Sequence, residues 1–307
     1  MAELRFDDRV AVVTGGGRGL GRSYALLLAA RGAKVVVNDV GATVTGEGAD
    51  AGPAEQVAAE IRAAGGQAFA CAESVTTSDG GRAIIAAALE HFGRIDVMVH
   101  NAGNVRRASL KSMTDQDFDA VVDVHLRGAF NVVRPAFPLM CEAGYGRIVL
   151  TSSIGGLYGN HEVANYAMAK AGVIGLSNVA ALEGAAHGVT CNVIVPAAVT
   201  RMAEGLDTSA YPPMGPELVA PVVGWLCHET CSVTGEMLVA IAGRVARAVV
   251  AESPGVYRPG WSIEDVAAKI DAIRDASAPV IFPVVPDGHN QHISYSFAMS
   301  REGALHG

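Results

Sequence analysis

The sequence predicts an α/β fold: a doubly wound parallel sheet with a partly helical extension at its C-terminal end. Three observations predict it. Short apolar runs alternate with helix-period segments through the first 243 residues of the 307-residue chain. The first run passes directly into a glycine-rich turn and then a helix. Beyond Gly243 the alternation stops, which divides the chain into 1–243 and 244–307.

Arg9-Val10-Ala11-Val12-Val13 reads as a buried strand, followed by Thr14-Gly15-Gly16-Gly17-Arg18-Gly19-Leu20-Gly21 and a helix over 23–30. Glycines at such a turn let the backbone approach a pyrophosphate, and the helix N-terminus points its free amides at the anion. A Rossmann-like nucleotide site is therefore expected against Gly15, Gly17, Arg18, Gly19, Leu20 and Gly21. The second strand, 34–38, ends in Asp39. A carboxylate there accepts both adenosine ribose hydroxyls and repels a 2′-phosphate. Arg18 pulls the other way, since it could pair with that phosphate. Asp39 abuts the ribose and nothing basic follows it, so NAD is expected over NADP.

A Gly/Thr/Ala-rich loop over 40–53 precedes a helix at 54–64 and a strand at 67–72. Ser74 and Val75 fall where that strand end meets the adenine. After a helix over 80–92, the strand 96–100 closes on Asn101-Ala102-Gly103, small residues that let backbone pack under the cofactor. Segment 115–142 is helix-periodic through Phe118, Val121, Val122, Val124 and Leu126, with Pro135 and Pro138 kinking or ending it late. Strand 147–151 leads to Ser153, and a helix carrying Tyr166 runs to about 187. Strand 189–196 follows, with Pro196, Val199 and Thr200 joining the cofactor set; 197–216 reads as a mobile loop or short helices over the site. A helix at 216–228 and a strand near 237–240 complete the sheet by Gly243.

The chemistry centres on Tyr166-Ala167-Met168-Ala169-Lys170. Positions i and i+4 share a helix face, so Tyr166 and Lys170 project together. A phenol has an ordinary pKa of about 10. A neighbouring ammonium lowers it and makes the pair a usable proton donor and acceptor. Ser153, thirteen residues upstream, can hold a carbonyl or alcohol.

The glycine-rich turn, Asn101-Ala102-Gly103, Ser153 and Tyr166-x-x-x-Lys170 occur in this order, and together they resemble the short-chain dehydrogenase/reductase family over about residues 6–243. The resemblance implies that Tyr166 is the general acid/base, that Lys170 binds the nicotinamide ribose and lowers the Tyr166 pKa, and that Ser153 positions the reacting oxygen. His125 stands where many members carry a relay Asn, and imidazole can also hold a water. Ala197 replaces a usual Gly, and Ser74 a frequent Asp. Val37-Asn38-Asp39, His125-Leu126-Arg127-Gly128, Leu157-Tyr158-Gly159-Asn160 and the stretch 225–231 are similar to the (3R)-hydroxyacyl-CoA dehydrogenase unit of peroxisomal multifunctional enzyme type 2, also described as a 17β-hydroxysteroid dehydrogenase. That resemblance implies oxidation of a (3R)-3-hydroxyacyl-CoA, with a steroid or steroid-side-chain CoA alcohol as the alternative. A catalytically inactive nicotinamide-binding regulator is the alternative of another class, and the intact Ser/Tyr/Lys set speaks against it.

The net charge of -8 and the absence of a basic run argue against nucleic acid. No apolar stretch suits a membrane span. The dispersed cysteines fit reduced thiols in a cytoplasm. Cys227, His228 and Cys231 lack a second ligand pair, so core packing is expected there and no metal. His289 to His292 read as surface, while Arg106 and Arg107 suit either CoA phosphates or solvent. In the extension, Ile263, Val266, Ala267, Ile270 and Ile273 recur at helical spacing behind a Ser262/Asp265 cap. That helix is expected to bury its stripe on a second copy, giving a homodimer or tetramer.

Overall fold

The computed structural model describes residues 3–200 and 210–305. It divides into two compact units, Met1–Arg247 and Ala248–Gly307. The first holds an eight-stranded sheet in the order β3-β2-β1-β4-β5-β6-β7-β8. These strands are β1 (Val10–Thr14), β2 (Lys34–Asn38), β3 (Gln67–Cys71), β4 (Val97–His100), β5 (Gly146–Thr151), β6 (Val189–Ala197), β7 (Met237–Ile241) and β8 (Arg244–Ala248). The first seven pair in parallel. β1, β4 and β5 are buried at every position, as a sheet covered on both faces requires.

Between them run α1 (Gly19–Ala30), α2 (Gly52–Ala63), α3 (Ser78–Phe92), α4 (Asp115–Val122), α5 (Gly128–Glu142), α6 (Ile154–Tyr158), α7 (Ala164–Gly184) and α8 (Ala220–Cys227). The strand order reverses between β1 and β4, and Thr14 lies level with His100 in the register. A crevice opens at such a switch point, beyond the carboxyl ends of the strands.

Three features differ from expectation. The helix expected over 115–142 is interrupted by a π turn at Asp123–Arg127, whereas α5 runs through Pro135 and Pro138 to Glu142. Pro135 leaves the Asn131 carbonyl without its helical donor, and that carbonyl lies where a Cβ on Gly81 of α3 would meet it at 2.3 Å. Glycine on the neighbouring helix thus makes room for the freed carbonyl. A short helix, α6, follows Ser153, which caps it. The sheet also does not end at Gly243: a two-residue turn, with Ala242 at φ 49 and Gly243 at φ 80, returns the chain as β8. Two positive φ values in a two-residue turn define an antiparallel hairpin, and an alanine there hides the usual glycine signal.

His228 spends its ring on the Arg5 carbonyl and the Thr230 hydroxyl, each at 2.9 Å, while Cys227 and Cys231 are buried. In the second unit, α9 (Ile263–Ile273) carries the expected capping box: Ser262 Oγ accepts from the Asp265 amide at 3.1 Å and Asp265 accepts in return from the Ser262 amide. Along α9, Ile263 is 85% exposed. The stretch from His289 to His292 is helical, within α10 (Gly288–Leu305). No described helix is long and apolar enough to cross a membrane.

Candidate active site

The glycine-rich turn is built so that only glycine fits. A Cβ on Gly15 would lie 2.8 Å from Ala102 Cα, and one on Gly21 would lie 2.0 Å from the Gly15 carbonyl oxygen. Gly19 has φ 53, in the left-handed region. This brings the start of α1 against the Asn101-Ala102-Gly103 turn and leaves its first amides facing a cleft of about 570 Å³. Gly15, Arg18, Gly19, Leu20, Asp39, Ser74, Val75, Asn101, Ala102, Gly103 and Thr200 all line that cleft. Pro196, at the end of β6, and Val199, whose amide donates to the Met214 carbonyl at 2.7 Å, are not among its lining residues. Gly17 sits just outside, donating its amide to Asp39 Oδ2 at 2.9 Å. Residues 201–209 of the loop expected over the site lie outside the described residues.

Asp39 takes a second amide, from Gly41 at 2.8 Å, so its carboxylate is fixed at the cleft wall. Arg18 reaches the same wall through the Ala42 carbonyl at 3.3 Å. A cradle that a Cβ would fill, free amides and a fixed carboxylate together fit a nicotinamide dinucleotide.

Ser153, Tyr166 and Lys170 are not among the residues that line this cleft; Ser153 ends the turn after β5, and its Oγ accepts from the Gly155 amide at 3.1 Å. Tyr166, in the first turn of α7, lies beside Ser153: a Cβ on Gly155 would meet Ser153 Oγ at 3.5 Å and the Tyr166 ring at 3.7 Å. Lys170 lies behind it, its Nζ 5.7 Å from the Tyr166 ring centroid and 2.5 Å from the Thr151 carbonyl. Helical i, i+4 spacing therefore brings Tyr166 and Lys170 together, and the turn after β5 sets Ser153 beside them. The electrostatics differ from the expected ones. Burial raises the Tyr166 pKa, and the opposing influences are Ser153 and the Arg107 charge rather than Lys170. Burial also drives Lys170 down to about 7. An ammonium inside an apolar wall loses more hydration than one carbonyl restores.

His125 is buried in the π turn, with its ring edge-on to Tyr166 at 5.1 Å. Its Nε2 meets the Asn104 carbonyl at 2.8 Å and the Asn104 amide at 3.1 Å, while its Nδ1 is buried without a partner. Burial holds its pKa well below the ordinary histidine value.

Residues 9–209 match the family described as short chain dehydrogenase. The chain belongs to the short chain dehydrogenase family. It is thus an oxidoreductase of CH–OH groups that uses a nicotinamide cofactor. It is 48% identical over 275 residues to peroxisomal multifunctional enzyme type 2 of Drosophila melanogaster, covering 89% of this chain and 45% of that protein. The full-length structure of that relative superposes with a TM-score of 0.80 at 38% identity, over 97% of this chain and 50% of the other. The chain therefore spans about half the length of this relative. A 3-oxoacyl-[acyl-carrier-protein] reductase of Synechocystis is 38% identical over 238 residues, 74% of this chain and 93% of that protein.

Within this dehydrogenase, three supporting residues escaped the sequence reading. Thr14 Oγ1 accepts from the Asn101 and Ala102 amides at 3.1 and 3.2 Å. Asn104 holds His125. Asn165, fully buried, donates to the Arg106 and Asp117 carbonyls at 3.1 and 2.9 Å, and its Oδ1 accepts from the Tyr166 amide at 2.8 Å. Each adjoins a motif residue in sequence, which is the signal that was present.

The Lys170 shift makes a stability prediction. Its ordinary value is 10.5 and its folded value about 7, so between those pH values the unfolded chain holds a proton that the folded chain lacks. Stability from this group therefore rises with pH across the window. Lys170→Met should flatten that rise, measured as urea midpoints of both proteins at pH 7 and pH 9.5. A parent-like slope in the variant would count against the assignment.

Proposed function

We propose that this dehydrogenase oxidises the secondary alcohol of a (3R)-3-hydroxyacyl-CoA to the 3-oxoacyl-CoA, with NAD as acceptor. The observation that carries the reading is the grouping of Ser153, Tyr166 and Lys170 beside the end of β5. The motifs of residues 37–39, 125–128 and 157–160 support the acyl-CoA substrate, as does the likeness to a protein named for reducing a 3-oxoacyl thioester.

Ser153 holds the substrate hydroxyl, and Tyr166, as phenolate, takes its proton. A bound nicotinamide ring supplies the hydride acceptor. Lys170, tied to Thr151, sets one donor behind the phenol and has others for a ribose. His125, with an unpartnered Nδ1 and its ring beside that of Tyr166, is placed to hold a water near the phenol. Arg106 is committed to protein groups, while Arg107 is exposed and close enough to act on Tyr166, so Arg107 is a cation available to an anionic part of the substrate. Asp39 selects NAD by repelling a 2′-phosphate. The exposed stripe of α9 supports a homo-oligomer, dimer or tetramer.

Tyr166→Phe removes only the hydroxyl. Turnover of 3-hydroxyacyl-CoA, followed as nicotinamide absorbance, should fall by at least about a thousandfold while NAD still binds; retention of several per cent of parent kcat refutes the assigned base. Asp39→Ser should raise the NADP/NAD ratio of kcat/KM by about tenfold or more as carboxylate–phosphate repulsion is relieved. An unchanged ratio removes Asp39 from the ribose site. A chain ended at residue 247 should sediment as a smaller species than the full chain; equal assembly of both excludes α9 from the interface.

A further inference from the structure

The long loop after β2 does more than connect strand to helix. Val40, Ala42, Thr43, Gly46 and Gly48 line the dinucleotide cleft. The loop closes on itself: the Thr43 amide donates to the Glu47 carbonyl at 2.8 Å, and the Glu47 amide to Thr43 Oγ1 at 3.0 Å. It is then fastened on both sides of the cleft. At its root, Gly41 donates to Asp39 and Arg18 to the Ala42 carbonyl. At its tip, beyond the end of β4, the Val105 amide donates to the Val44 carbonyl at 3.0 Å. Arg106 Nε donates to the Thr45 carbonyl at 2.9 Å, and its Nη2 lies 3.5 Å from Glu47. Since β2 and β4 flank β1 on opposite sides, a loop rooted on one and bonded beyond the other crosses the cleft.

Arg106 also faces the catalytic helix. Its Nη1 is 3.3 Å from Asp117 Oδ1, and its carbonyl accepts from Asn165, the residue whose side chain holds the Tyr166 amide. Its side chain is only 16% exposed, whereas Glu47 is 72% exposed, so the bonds to Thr45 and Asp117 hold the guanidinium and the Glu47 pair stays open to solvent. The tip can sit this close because of Gly46: it has φ 89, and a Cβ there would come within 2.5 Å of Asn104 Nδ2.

We propose that residues 43–48 and Arg106 form a clasp across the cofactor cleft, in which Arg106 is a positioning residue that slows cofactor release and ties the loop to the helix bearing Tyr166. The inference rests on the dinucleotide reading of the cleft. An opening clasp breaks the Arg106–Thr45 bond, and a charge-assisted bond of that kind contributes about tenfold to a dissociation rate.

Two variants test it from opposite sides. Arg106→Met removes the latch, and Gly46→Ala forces the tip away from Asn104 while leaving Arg106 intact. In the full chain, stopped-flow displacement of NADH and of NADPH should show release about tenfold faster in both variants, with association within about twofold of the parent. Hydrogen exchange at the Val105 amide, read on the protein alone, should rise about tenfold in both. Release and exchange within twofold of the parent in both variants overturn the clasp, as does a change confined to Arg106→Met, which is what loss of a purely structural ion pair predicts. If the parent chain binds neither cofactor, the dinucleotide reading falls and the clasp with it; parent binding with unaltered variants sinks the clasp alone.

Discussion

One hydroxyl sets the geometry on which the site depends. Thr14 and His100 are level at the ends of two strands that are neighbours in the sheet and far apart in the chain. Thr14 Oγ1 accepts the Asn101 and Ala102 amides, so its own hydrogen is left for His100 Nδ1 at 3.0 Å. His100 is thereby assigned as the neutral tautomer with its proton on Nε2, a nitrogen that is buried without a hydrogen-bond partner. Burial agrees, pushing its pKa down to about 3. Through this hydroxyl the start of the glycine-rich turn, the end of β4 and the Asn101–Gly103 turn hold one another in place. Any of them moving alone would strand a buried donor or acceptor, at a cost of about 1–3 kcal/mol.

The catalytic end reverses a simple electrostatic expectation. Proximity of an ammonium to a phenol argues for a depressed Tyr166, but proximity is judged along a helix while solvation is judged in three dimensions. Tyr166 and Lys170 both lie on the buried side of α7, and desolvation disfavours the charged form of each. The pair is thus held close to neutrality. In the proposed reaction, the Tyr166 phenolate would be stabilised by Ser153 and Arg107 together with what binds in the cleft.

Much of this was legible in the sequence because the relevant signals are local. The strand–glycine turn–helix at residues 9–30, the acidic end of β2 and the i, i+4 spacing of Tyr166 and Lys170 each need only a few adjacent residues, and all lie within the stretch that the family match covers. What was not legible depends on partners distant in sequence. The π turn at His125 reflects packing, not periodicity, since Val121 to Leu126 reads as ordinary helix. Arg106 reads as a free cation until Thr45, Glu47 and Asp117, up to 61 residues away, are brought around it. Ala242 takes a left-handed turn position that propensity assigns to Gly or Asn.

That hairpin bears on how the protein keeps itself apart from its neighbours in a crowded solution. An outermost strand presents unpaired amides and carbonyls to any passing chain, the usual seed of edge-to-edge aggregation. Here the outermost strand on one side is β8, and it places exposed Arg244 and Arg247 along that edge, Arg247 also reaching Glu236 at 3.2 Å. A foreign strand adding there would have to strip water from two guanidinium groups. The last turn of the sheet thus serves as a gatekeeper, ending β-pairing where β7 would otherwise offer an apolar rim.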